Sequence, residues 1–248
     1  MDDPTRIDRT LTALRAAWEG QPDLPLGTLF GMLAAEGYGW GVPDAELTQR
    51  LEAMAQVHPP LLALSDDHLP TSGRWLLITE THRITLAASE QGPSTTWRAV
   101  VRPVSRSGER GQAVSWEVSA LRPAGPGCPL VIADGEGFEH RFGVVESITR
   151  LRDDSRDLAG LKRRSVGDRV WFIRTDAETI ILDHGLHTTQ RKNRELVRTD
   201  FSWSRIADCT PGQLLSVELS RGTTHTFGSV VEVILVESEP WSVPTHAE

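Results

Sequence analysis

Two blocks of this sequence recur in the same order, and that collinearity constrains the fold more than any single motif. Trp75-Leu76-Leu77-Ile78-Thr79-Glu80 is echoed by Trp171-Phe172-Ile173-Arg174-Thr175-Asp176, with Ile84 and Leu86 answered by Ile180 and Leu182 at the same offset. Further on, Gly137-Phe138-Glu139-His140-Arg141-Phe142-Gly143 matches Gly222-Thr223-Thr224-His225-Thr226-Phe227-Gly228, and each block continues into a valine-rich run ending near Ile148 and Ile234. Between the blocks, Ser115-Trp116 is set against Ser202-Trp203, each followed by a Pro/Gly turn (Pro123 to Gly127; Pro211-Gly212) and another strand. Offsets that differ between blocks are what changed loop lengths produce in a duplicated unit.

The repeated unit reads as β structure. From Trp75 onward, β-branched and aromatic residues alternate with polar ones in short runs such as Trp97 to Val101, Val114 to Val118 and Leu215 to Leu219, separated by Gly, Pro and Ser. A lone glycine inside a strand, as at Gly143 and Gly228, marks a bend that lets a small sheet curl. The rhythm of Pro211-Gly212 to Leu219, then Gly222, then Gly228 to Ile234 resembles that of small SH3-like or Sm-like barrels; the resemblance implies a small open barrel in each copy and carries no functional residues.

The first part of the chain has a different period. Ile7, Leu11, Leu14 and Trp18 form one apolar helical stripe, with Asp3 as a cap and Pro4 in the first turn. Leu26, Leu29, Phe30 and Leu33 form a second helix ending at Gly37, and Leu47, Leu51 and Met54 a third behind Asp44. Their stripes are expected to pack together and against the rest of the chain. The string Trp18-Glu19-Gly20-Gln21-Pro22-Asp23-Leu24-Pro25-Leu26-Gly27-Thr28-Leu29 resembles the Trp-x-x-x-Pro-Asp-x-x-Leu segment of small bacterial helical proteins of no assigned activity. The fold class is therefore α+β: a three-helix segment over 1–64, one β-rich repeat over 70–152, a second over 166–240 and a loose tail over 241–248. The polar stretch 153–168 is expected to be the linker between repeats.

Charge and cysteine content narrow the function. A formal net charge of −8 gives no diffuse attraction to phosphate backbones, so nucleic-acid binding would need a local basic patch. Two cysteines, Cys128 and Cys209, do not make a disulfide scaffold. An acidic Met-Asp-Asp-Pro start and the lack of a long apolar run predict a cytoplasmic chain without a membrane partner.

No constellation supplies a convergent reactive set. There is no nucleophile elbow, no cysteine beside a histidine and no phosphate-binding loop, so neither catalytic residues nor a cofactor are expected. His140 and His225 hold matching repeat positions, and His184 and His187 flank one loop near Asp183. These four are the metal-ligand candidates, set against structural roles in strands and turns, and they carry the alternative of a metal-dependent hydrolase. Arg191, Lys192, Arg194 and Arg198, with Trp203 as a stacking platform, carry the other alternative, single-stranded nucleic-acid binding. Trp75, Trp116, Trp171 and Trp203 read as core residues, whereas Trp40, Trp97 and Trp241 fall outside the repeat register and are the candidate contacts for a protein partner. The favoured reading is a non-catalytic binding or scaffolding protein that uses two similar β surfaces.

Overall fold

A computed structural model of the chain describes residues 4–89, 95–104, 111–152, 158–192 and 195–241. Three helices come first: α1 (Thr5–Glu19), α2 (Leu26–Ala35) and α3 (Asp44–Val57). Their shared core is Ala13, Ala17, Leu29, Leu33, Leu51 and Met54. The helical period is as expected, but α1 is turned. Ala13 and Ala17 are buried, and Thr10 bonds Thr48 across the α1–α3 contact at 2.9 Å, whereas Ile7, Leu11 and Trp18 face outward. Alanines let the two helix backbones come close, a geometry the larger stripe would prevent.

The first β domain contains β1 (Arg74–Thr79), β2 (His82–Ser89), β3 (Thr96–Pro103), β4 (Val114–Leu121), β5 (Pro129–Asp134) and β6 (Glu139–Arg150), antiparallel and closed into a barrel by the β1–β6 pairing. Inward residues of every strand, among them Leu77, Ile84, Trp97, Val118, Ile132 and Ile148, fill it.

The second contains β7 (Val170–Thr175), β8 (Thr179–Leu182), β9 (Leu186–Lys192), β10 (Glu195–Phe201), β11 (Trp203–Asp208), β12 (Leu214–Leu219) and β13 (Thr224–Glu237), in the order β10-β9-β8-β7-β13-β12-β11. This sheet curls around one core holding Trp171, Ile173, Trp203, Val217 and Phe227, but β10 and β11 do not pair, so it stays open. Small open barrels were expected for both repeats; the first closes because β4 pairs with both β3 and β5, while in the second the matching stretch is broken at Ser202 into β10, which pairs with β9, and β11, which pairs with β12.

The strand registers correspond position by position. Trp75 faces Leu86 and Leu77 faces Ile84, as Trp171 faces Leu182 and Ile173 faces Ile180. Thr79 faces Val145 as Thr175 faces Val230, and Ile132 faces His140 as Val217 faces His225. One pairing drawn from letters alone is corrected. Leu121 faces Ile132 as Ile206 faces Val217, which sets Trp203 against Val118 and Phe201 against Trp116.

Two boundaries also move. Leu62 is buried in the first β core and its N–H donates to Ala124 O at 2.8 Å, so that domain begins before residue 64. Leu158 and Val166 are buried in the second core, so much of the expected linker belongs to that domain. Helices and barrel meet at His58, whose Nδ1 lies 3.2 Å from Ile148 O, and glycines that admit no side chain fix both sides of the junction, Gly20 at the end of α1 and Gly125 on the barrel. A Cβ on Gly20 would meet His58 O at 1.8 Å, and one on Gly125 would meet Pro60 O at 2.1 Å.

The two β domains pack outer face to outer face through Ala87, Val100 and Ala113 on one side and Phe172, Ile234 and Val236 on the other. Thr85 Oγ1 donates to Val236 O at 2.7 Å within this layer. Charges flank it: Glu232 meets Arg98 at 2.8 Å and Arg174 at 3.3 Å, and Glu237 meets Arg102 at 2.6 Å and Arg83 at 3.0 Å. No helix among the described residues is long and apolar enough to cross a membrane.

Candidate functional site

The registers bring one side-chain trio together twice. In the first domain Trp116 of β4 stacks on Phe142 of β6 (6.0 Å between ring centroids, 19° apart) and tilts over His140 (5.0 Å), while His82 meets the edge of Phe142 (5.3 Å). In the second, Phe201 lies 5.1 Å from His225 and 5.5 Å from Phe227, with His225 4.5 Å from Phe227. Phe142 and Phe227 are buried at the margins of their cores, Trp116 and Phe201 are half-buried, and the histidines are half-buried or exposed. An apolar base therefore rises through two rings to solvent, which is the make-up of an interface anchor.

The surroundings of the trios differ. His140 Nε2 lies 2.8 Å from Asp134 Oδ2, and Asp134 Oδ1 accepts the backbone N–H groups of Glu136 and Phe138. His140 foremost, and those two amides after it, hold the Asp134 carboxyl below its ordinary range. In the second domain Glu178 stands near His225; burial pushes its carboxyl up, against the opposing pull of His225 and a bond from Thr188. His82, at the β1–β2 turn, is pushed down by burial.

The predicted constellations fare unevenly. His140 and His225 sit in different sheets, each within its own trio. His184 is exposed at the β8–β9 turn. His187 lies between two carboxylates, Nδ1 2.6 Å from Asp200 and Nε2 3.3 Å from Asp183, an arrangement that fastens the β9–β10 pair to the turn before it. Among the described residues no three His, Cys, Asp or Glu side chains converge as a group that could hold a metal ion. Both cysteines are free thiols, Cys209 buried and Cys128 half-buried.

Arg191, Lys192 and Arg198 are exposed on the β9–β10 hairpin, with Lys192 opposite Glu195 at its tip; Arg194 lies outside the described residues. Trp203 cannot serve them as a stacking platform. It is fully buried, its indole N–H donates to Asp183 O at 3.1 Å, and the hairpin tip is roughly 26 Å away along the chain at strand rise. Trp97 is likewise removed from the partner-contact set, because it is buried in the barrel core opposite Val118. Trp40 is fully exposed, and Trp241 is half-buried under the Arg150 guanidinium at 4.3 Å. Trp116, expected in the core, is half-buried at its margin.

Sequence reasoning missed Phe201, Phe142, Phe227 and His82 as one repeated surface. The signal was present in the constant spacing from Trp116 and Phe201 to the two His-x-Phe strands, but matching tryptophan to tryptophan concealed it. It also missed a cationic cleft of about 700 Å³ where Lys162, Arg163 and Arg164 meet Arg205. The chain matches no protein-family model and no curated protein.

Proposed function

We propose that this chain is a non-catalytic binding protein of the cytoplasm, built by duplication of one β unit, that engages a protein partner through the aromatic–histidine faces of its two β domains. The observation that carries this reading is the recurrence of the Trp116–His140–Phe142 trio as Phe201–His225–Phe227 at matching register positions. A ring stack needed only for the fold would be covered; these leave His140 and His225, and part of Trp116 and of Phe201, reachable from solvent, where rigid aromatic side chains give contact area at small entropic cost. The free thiols Cys128 and Cys209 accord with a reducing compartment.

The test is affinity capture of tagged protein from lysate of its native host, with and without nuclease, comparing wild type with a Trp116→Ala/Phe201→Ala variant. A protein recovered despite nuclease and lost with the variant is the expected result. Recovery that vanishes with nuclease, or that survives both substitutions, overturns the reading.

A further inference from the structure

The geometry points to a binding site for a phosphorylated small molecule in the cleft formed by Lys162, Arg163, Arg164 and Arg205 of the second β domain. It rests on none of the residues proposed to contact a protein partner, so either reading can fail alone.

The first ground is how the cations are held. The N–H of Gly160 donates to Ile206 O at 2.8 Å and that of Ile206 to Leu161 O at 2.9 Å, so residues 160–162 lie along the free edge of β11. A single 3-10 turn over Arg163–Ser165 follows, anchored by the fully buried Val166. Backbone bonds and core burial thus fix the chain that carries three successive cations beside β11, before any ligand arrives.

The second ground is a repulsion the fold relieves only in part. Lys162 and Arg205 face each other directly across an antiparallel bridge. Like charges in that position destabilise a strand pair, and Arg163 and Arg164 add to the field. One carboxylate of the cleft answers them: Glu218, at 3.5 Å from Arg205 and partly exposed. In a molecule of net charge −8, this local excess of positive charge is stabilised by a bound anion.

The third ground is that the fold does not require it. In the first domain the N–H of Leu121, the register counterpart of Ile206, donates to His68 O at 2.8 Å as that of Ile206 does to Leu161 O; the residues that follow His68 are Leu69-Pro70-Thr71, and the counterpart of Arg205 is Ala120. The first domain therefore makes the same edge contact without the cations.

The chemistry of the cleft selects the ligand. Its hydroxyls are committed, Ser204 Oγ donating to Glu218 O at 3.1 Å and Ser220 Oγ to Trp203 O at 3.2 Å, so guanidinium and ammonium N–H groups face an incoming ligand. Several guanidinium forks suit the oxygens of phosphate. A volume of about 700 Å³ exceeds what a bare phosphate fills and lies in the small-molecule range. The adjoining cleft mixes Arg163, Arg169 and His187 with Asp168, Asp183, Asp200 and Glu237, so the excess of positive charge does not continue along a track that a polyanion would need.

Titration calorimetry with sodium pyrophosphate at fixed ionic strength tests this, with a single-stranded oligothymidylate in a parallel arm. Pyrophosphate is expected to bind one saturable site that weakens roughly tenfold or more in Arg163→Ala/Arg164→Ala and is unchanged in Arg191→Ala/Lys192→Ala, as loss of charge-assisted contacts at one site requires. In wild-type protein, pyrophosphate should move the backbone amide resonances of 160–166 and 203–206, a readout independent of whether any variant folds. No saturable binding, shifts that fall elsewhere, or affinity unaffected by the 163/164 substitutions overturns the proposal. So does oligothymidylate binding more tightly than pyrophosphate and losing affinity in the hairpin variant, which would mark a nucleic-acid surface instead.

Discussion

Glu232→Ala is expected to cost this protein about 2–3 kcal/mol of stability, by stranding cations at the seam between its β domains. The wild-type carboxylate is mostly buried, with its side chain 10% exposed, and it takes Arg98 at 2.8 Å, Arg174 at 3.3 Å and the Ser115 hydroxyl at 2.9 Å. Removing one member of a buried ion pair costs about 3–5 kcal/mol, because the remaining charge stays desolvated. Arg174 is 41% exposed and recovers water, whereas Arg98 at 19% cannot, which places the loss toward or below the lower end of that range. For a urea dependence of about 2.5 kcal/mol per molar, the unfolding midpoint should fall by roughly 1 M. The decisive comparison is Glu232→Ala/Arg98→Ala. With the stranded guanidinium gone, the double variant should be no less stable than Glu232→Ala alone. A midpoint shift under about 0.2 M for the single variant, or strictly additive losses in the double, refutes the reasoning.

Gly125→Ala should destabilise by about 2 kcal/mol or more in chemical denaturation, since its Cβ would overlap Pro60 O at 2.1 Å and backbone must move; Gly127→Ala, where nothing obstructs but φ is +83°, should cost about 1 kcal/mol. His58 and His82 are held neutral by burial, so the unfolded chain takes up their protons first as pH falls below about 6.5; thermal stability should therefore decline from pH 7 toward pH 5.5, and His58→Gln should flatten that slope. Glu178 is the opposite case. Its raised pKa means the unfolded chain loses the proton first as pH rises above about 4.5, so Glu178→Gln should raise the melting temperature at pH 7 and leave it unchanged near pH 4. Trp203→Ala should cost about 3–5 kcal/mol through the cavity it opens in the second core, whereas Trp116→Ala, at a margin, should cost clearly less in the same denaturation assay.

Much of the fold was legible because period and order survive in the letters. Trp75 to Leu86 and Trp171 to Leu182 announce two strands of identical register, and the two His-x-Phe blocks announce the strands that return beside them. What was not legible depended on phase and on strand pairing. Ile7, Leu11 and Trp18 satisfy the helical period, yet α1 turns Ala13 and Ala17 inward because a close crossing with α3 needs small residues. Trp116 and Trp203 look equivalent as letters, but the pairing of Leu121 with Ile132 and Ile206 with Val217 sets them two positions out of phase. That slip of phase hid the aromatic face. The cationic cleft was hidden differently: Lys162 and Arg205 are far apart in sequence, and only the bridge between 160–162 and β11 makes them neighbours.

One β domain closes and the other stays open, and the difference falls beside the cationic cleft. In the first, β4 takes β3 as its partner and the ring is complete. In the second, the counterpart of β4 is broken at Ser202 into β10, which pairs with β9, and β11, which pairs with β12, so β11 is left with an unpaired side. A free strand edge must be covered, charged or twisted away if it is not to recruit another chain. Here the cover is the 160–162 segment, and because it continues into Lys162-Arg163-Arg164, covering the edge also assembles a cationic concavity, whereas the matching contact of the first domain, Leu121 N–H to His68 O, continues into the uncharged Leu69-Pro70-Thr71. If the 160–162 contact with β11 is what positions the cleft, then Val166→Asp, which dislodges the turn from the core without touching a cation, must abolish pyrophosphate binding as completely as removing the arginines, while the first domain's barrel keeps its amide protection. Loss of protection in both domains together would instead mean that the segment is needed for the fold as a whole.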